Sequence, residues 1–115
     1  MDGGLCPAEL GGHAPVIVCA DADARSAAGA SVAAKYRNAG QVCASPIRFL
    51  VHCSRYAEFR DAFVAGARGL RVGPGADPAT QLGSLIGEHR VREMQAFVDD
   101  ALVHSARVLC GGRRV

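Results

Sequence analysis

Two short apolar runs, residues 14–19 (A-P-V-I-V-C) and residues 47–52 (I-R-F-L-V-H), stand on either side of one helix-length segment, and this alternation narrows the folds open to the chain. The first run is continuous and β-branched, which predicts a strand buried on both faces. In the second, Ile47, Phe49 and Val51 alternate with Arg48, Leu50 and His52, the period of a strand. Between them, Asp21 and Asp23 offer N-caps for a helix running to about Ala39, with Gly40 as its stop. Gly29 weakens that helix but allows close packing. Ser54 can cap the next helix, in which Tyr56, Phe59, Phe63, Ala67 and Leu70 recur at three- and four-residue intervals and form a stripe expected to face the sheet. Residues 72–80 are dense in Gly and Pro and predict a loop. A third helix is expected over about 88–104, with Val91, Met94, Val98, Ala101 and Leu102 on one face, followed by a short strand over 107–110. The order β-α-β-α-loop-α-β predicts an α/β fold with a mostly parallel sheet and flanking helices.

Composition limits size and partners. A chain of 115 residues fits one domain of modest stability, and with 50% hydrophobic residues but only 5% aromatics its core must be built from small side chains closely apposed. Thirteen basic against eleven acidic residues leave a net charge of +2, too little to attract nucleic acid or an acidic membrane. The densest basic pair, Arg113-Arg114, has no interleaved aromatics to stack on bases. Five cysteines make an odd count without C-x-x-C spacing, which points to a reducing, cytoplasmic setting. The N-terminus lacks the pattern of a secretory signal, and no apolar run approaches the ~20 residues that cross a bilayer. His13, His52, His89 and His104 are too scattered to form a metal cluster, and no sequence feature ties any of them to a cysteine as a hydrolase pair.

Two short motifs carry candidate chemistry, E-L-G-G at residues 9–12 and N-A-G-Q-V-C at residues 38–43. Cys43 falls on a loop between helix and strand, where backbone N–H groups and partial exposure favour the nucleophilic thiolate. Cys19 and Cys110 end apolar runs and read as inert core residues, Cys53 lies at a strand end, and Cys6 in an irregular N-terminus. A lone glutamate is usually a solvated surface carboxylate. Glu9 differs in preceding two glycines and a predicted strand, a setting in which partial burial can raise a carboxylate toward the neutral pKa of a general base.

Together with their flanking text, E-L-G-G-H-A-P-V-I-V and Y-R-N-A-G-Q-V-C-A-S-P-I-R, these motifs resemble the active site of the aldehyde dehydrogenase family, and L-R-V-G at 70–73, Asp77-Pro78 and G-S-L-I at 83–86 extend the match. The resemblance implies NAD(P)-dependent oxidation of a small aldehyde, with semialdehydes the nearest substrate class. Cys43 would form a thiohemiacetal and then a thioester, and Glu9 would deprotonate the hydrolytic water. The Cys43 N–H would be an oxyanion donor and the Leu10 carbonyl would hold the nicotinamide amide. It further implies a homo-oligomer for the full-length enzyme. Departures from the pattern are His13 after E-L-G-G, A-S-P after Cys43, and Ser84 where proline is usual. Ser45 stands where some semialdehyde dehydrogenases place a second cysteine, so the sequence does not support a disulfide switch with Cys43. No G-x-G-x-x-G occurs. Residues 1–115 are therefore expected to form a partial catalytic domain without the cofactor-binding domain, inactive in isolation. The competing expectation is an inert remnant, or an interaction module that docks onto full-length subunits.

Overall fold

In the computed structural model, residue 12 and residues 14–114 are described. Strand β1 (Ala14–Val18) leads to helix α1 (Ala24–Tyr36), a 3-10 turn (Arg37–Gly40), strand β2 (Pro46–Val51), helix α2 (Cys53–Arg68) and helix α3 (Glu88–Val103). β1 and β2 are parallel neighbours, with Val16 opposite Phe49, Ile17 opposite Leu50 and Val18 opposite Val51. Parallel strands need a crossover, and α1 supplies it. The register shifts between Ala14 and Pro15.

The strand period of two decides which residues meet the helices. Val18 and Phe59 are buried with Ala24 and Ala28 of α1, and Val16, Phe49, Val51 and Phe63 pack against them. The aromatic group is mutually offset, with the Phe49 and Phe63 rings edge to face at 5.2 Å and Phe49 and Phe59 at 5.9 Å. Ala28 is 0% exposed. Small side chains let α1 and α2 approach, and a Cβ added at Gly66 would meet Val32 Cγ2 at 3.0 Å. The same role was expected of Gly29, but Gly29 is exposed and a Cβ there meets nothing within 4 Å. Glu58 of α2 accepts from Arg25 of α1 at 2.9 Å across the exposed rim of this contact.

Several sequence expectations need correction. The sheet is covered on one face only: Ile17 is 70% and Leu50 52% exposed, because alternation sends them away from the helices and no described element packs on their side. Asp23, not Asp21, caps α1, its carboxylate accepting from the Ser26 N–H at 2.8 Å. α1 ends at Tyr36 because Arg37 turns to ψ 130°, and Asn38 and Ala39 then take left-handed conformations. His52 rather than Ser54 caps α2, its Nδ1 accepting from the Ser54 N–H at 3.3 Å. Of the α2 stripe, Phe59 and Phe63 face the sheet, whereas Tyr56 is 51% exposed.

Residues 107–110 form no strand, since a strand needs a ladder partner and both described strands pair only with each other. Instead the Leu109 carbonyl accepts from Arg68 Nη2 at 2.9 Å. α3 forms as expected, but its apolar face turns toward loops. Val91, Met94 and Val98 line an open cavity of about 900 Å³ with Leu70, Val72 and Leu85. Arg114 closes one side through a two-pronged pair with Glu88 at 2.7 and 2.9 Å.

Candidate active site

Because β1 and β2 are parallel and adjacent, the segments that enter them must meet at one end of the sheet. These are the segments that carry the two motifs. The Gly12 N–H donates to the Cys43 carbonyl at 3.1 Å, joining the end of E-L-G-G to the turn that bears Cys43. Gly12 has φ +104°, a conformation that disfavours any residue with a Cβ, and among the described residues nothing lies within 4 Å of where a Cβ would stand. Glu9 and Leu10 lie outside the described residues, as do Cys6 and His13.

The turn that presents Cys43 begins with an unusual backbone. Asn38, Ala39 and Gly40 have φ of 50°, 55° and 77°, three left-handed residues in succession. Asn and Gly tolerate this region, but Ala39 carries a penalty of roughly 1–2 kcal/mol. Hydrogen bonds between Asn38 and Gln41 close the turn on itself. The Gln41 N–H donates to the Asn38 carbonyl at 3.0 Å, and Asn38 Nδ2 donates to the Gln41 carbonyl at 3.2 Å. Gln41 Nε2 returns a longer bond to the Asn38 carbonyl at 3.4 Å. Past Cys43, the Ser45 N–H donates to the Val42 carbonyl at 2.9 Å, and its hydroxyl donates to the Lys35 carbonyl in the last turn of α1 at 3.3 Å. Ser45 is 4% exposed, so this clamp is shielded from water.

Between the two clamps Cys43 is exposed. Its own N–H donates to no group among the described residues, which leaves a donor beside the thiol for an oxygen that acquires charge. The sequence reading of the other thiols changes. Cys19 is exposed rather than buried, because it leaves β1 on the same side as the uncovered Ile17. Cys110 is half-buried in the irregular tail instead of in a strand. Exposure alone therefore does not distinguish Cys43 from Cys19 and Cys53. Sequence reasoning passed over Gln41 and gave Ser45 no structural role, since each acts through backbone groups that only the fold brings near. Among the described residues no group of three His, Cys, Asp or Glu side chains could hold a metal, and no helix is long and apolar enough to cross a membrane.

The described residues thus form a parallel β-α-β unit with an exposed cysteine on the turn before its second strand, joined by a hydrogen bond to Gly12 before its first. The aldehyde dehydrogenase family profile matches residues 5–115, and the chain belongs to that family. Mitochondrial succinate-semialdehyde dehydrogenase from Oryza sativa is 42% identical over 106 residues, covering 92% of this chain and 20% of the relative. The crystal structure of succinate-semialdehyde dehydrogenase from Burkholderia pseudomallei superposes with a TM-score of 0.89 at 42% identity, over 93% of this chain and 22% of that one. A betaine aldehyde dehydrogenase variant from Staphylococcus aureus, solved with NAD+ and a β-mercaptoethanol-modified cysteine, superposes with a TM-score of 0.88 at 32% identity, over 93% of this chain and 22% of that one. The chain thus spans about a fifth of the length of the curated relatives it matches, and its fold is a partial domain of theirs.

Proposed function

We propose that residues 1–115 form part of the catalytic domain of an NAD(P)-dependent enzyme that oxidises an aldehyde, of the semialdehyde class, to a carboxylic acid. Cys43 is its nucleophile and Glu9 its general base. The observation that supports this reading is the Gly12–Cys43 hydrogen bond, which joins the last residue of the E-L-G-G motif to the turn that bears Cys43.

The Cys43 thiolate attacks the aldehyde carbon, and the free Cys43 N–H donates to the oxygen that becomes negative as the thiohemiacetal forms. When bound, NAD(P) supplies the hydride acceptor that converts this carbon to a thioester. Among the described residues, the exposed Cys43 thiol would meet the reactive end of such a dinucleotide. Leu10 would hold the carboxamide through its carbonyl. Glu9 then takes a proton from water, the hydroxide adds to the thioester carbon, and the C–S bond breaks to return the Cys43 thiolate and release the acid.

The test uses a chimera in which residues 5–115 replace the matched segment of the Burkholderia pseudomallei enzyme. Cys43→Ala should abolish both the first turnover and the steady state, read as absorbance of reduced nicotinamide. A chimera that keeps more than a tenth of its turnover without the Cys43 thiol would end the assignment.

The second reading, that the 115-residue chain is inert by itself and acts by docking, is favoured by the apolar sheet face around Ile17 and Leu50. The two readings are compatible, since a catalytic segment must also seat against the remainder of its domain. Purified alone, the chain is expected to show no NAD(P)-dependent aldehyde oxidation, because hydride transfer needs a held cofactor. Sustained turnover by the isolated chain would contradict this.

A further inference from the structure

The G-S-L-I segment at residues 83–86 plays no part in the chemistry proposed above, yet it touches the site. The Ile86 N–H donates to Gln41 Oε1 at 3.2 Å, across 45 residues of sequence. The same carboxamide donates from Nε2 to the Asn38 carbonyl at 3.4 Å. Gln41 therefore sits between the left-handed triplet at 38–40 and a distant loop, and it is two residues from the nucleophile.

We infer that Gln41 is a positioning residue. Its carboxamide latches the nucleophile turn to the backbone of residue 86, and so holds the 38–40 backbone in the left-handed form that presents the Cys43 thiol. The physical argument is one of compensation. Ala39 at φ 55° would relax toward the right-handed region if freed, and relaxation would swing the following peptide units, including the Cys43 N–H. Bonds within the turn, between Asn38 and Gln41, move with it and cannot anchor it. Ser45 anchors the far side to α1 through Lys35, whereas the near side has its long-range anchor in Ile86. The loop that ends at Ile86 is itself fixed, since Arg71 and Gly73 pair with residues 81 and 82 through backbone bonds of 2.9 to 3.1 Å. Gln41 thereby connects the nucleophile to the segment that leads into α3.

The inference rests on the assignment of Cys43 as nucleophile, and the experiment separates the two. The intact 115-residue chain is treated with limiting iodoacetamide, and alkylation of Cys43 is followed by peptide mass spectrometry. Cys19 and Cys53, both exposed, serve as internal references. Gln41→Leu removes donor and acceptor at similar size; Gln41→Glu keeps an acceptor for the Ile86 N–H; Ile86→Pro deletes the donor without touching the turn. Cys43 alkylation should slow by about 3- to 10-fold in Gln41→Leu, the scale of one net hydrogen bond, while Cys19 and Cys53 stay within about twofold. Gln41→Glu should recover most of the loss, which a merely structural defect would not do. Ile86→Pro should match Gln41→Leu and add nothing in the double variant. If wild-type Cys43 is no faster than Cys19, the nucleophile assignment falls and this inference with it. If Cys43 is fast but indifferent to Gln41→Leu, or if the two losses multiply, the latch alone is wrong. Should Gln41→Leu lose its helical circular dichroism, the Gln41→Glu and Ile86→Pro pair decides by the same criteria.

Discussion

At the scale of single residues, the site depends on backbone more than on side-chain clustering. Gly12 and the 38–40 triplet set where peptide groups point, and the exposed thiol is placed by them. The division of labour assigned to Glu9 follows from the order of events: hydride transfer precedes hydrolysis, so a fault confined to deacylation lets one equivalent form before the enzyme stalls. In the chimera, Glu9→Gln should leave a stoichiometric burst of reduced cofactor while lowering steady turnover by ~10²–10⁴-fold, the range for a lost general base. Loss of the burst in Glu9→Gln, to the degree seen in Cys43→Ala, would move Glu9 to thiol activation or hydride transfer. The exposed turn at Cys43 was legible in the sequence, because a glycine shortly before a cysteine at an element junction is a local pattern. The left-handed Ala39 was not, since no propensity favours alanine at positive φ; only long-range bonds such as Gln41 to Ile86 make it acceptable.

At the scale of elements, α1 and α2 form the best-packed pair, and their two glycines have opposite meanings. Gly29→Ala adds a methyl into open space on a helix interior, and should stabilise the chain by about 0.5–1 kcal/mol in urea unfolding. Gly66→Ala meets Val32 Cγ2 at 3.0 Å, so its propensity gain is offset and the two variants should differ in midpoint, with Gly29→Ala the more stable. Equal midpoints would contradict the close approach. The α1 cap adds a pH signature. The Ser26 N–H holds the Asp23 carboxyl below its ordinary 3.8. Its folded pKa is lowered, so its contribution is present above the unfolded value and is lost as pH falls through the folded one. Wild type should therefore lose more thermal stability than Asp23→Asn on acidification below pH ~4, and parallel curves would remove the cap from the account. β2 and α2 were readable from periodicity, because the alternation of Phe49 and Val51 and the spacing of Phe59 and Phe63 mark the faces they turn to the core. The strand expected at 107–110 was not formed, since apolar composition gives a segment no partner; pairing is a property of the sheet.

At the scale of the whole molecule, the described residues bury a small core and leave a sheet face of Ile17 and Leu50 uncovered. Relatives about five times as long contain this unit as one part. Under the proposed reading, that face is interior to the complete domain, and the double variant Ile17→Thr, Leu50→Thr should behave differently in two settings. The isolated chain should become more soluble without a lower unfolding midpoint. The chimera should lose about 2–4 kcal/mol, the cost of removing two buried aliphatic groups. Loss of stability in the isolated chain but none in the chimera would mean the face is not covered there. The bond from Gly12 to Cys43 also has a kinetic meaning. It spans the crossover and exists only once β1 has found β2, so the Cys43 turn has no mature form in any partly folded chain in which the helices alone have condensed. During refolding, selectivity of alkylation for Cys43 should then emerge with strand pairing and later than helical signal, which makes the thiol a clock for the slowest contact in the unit.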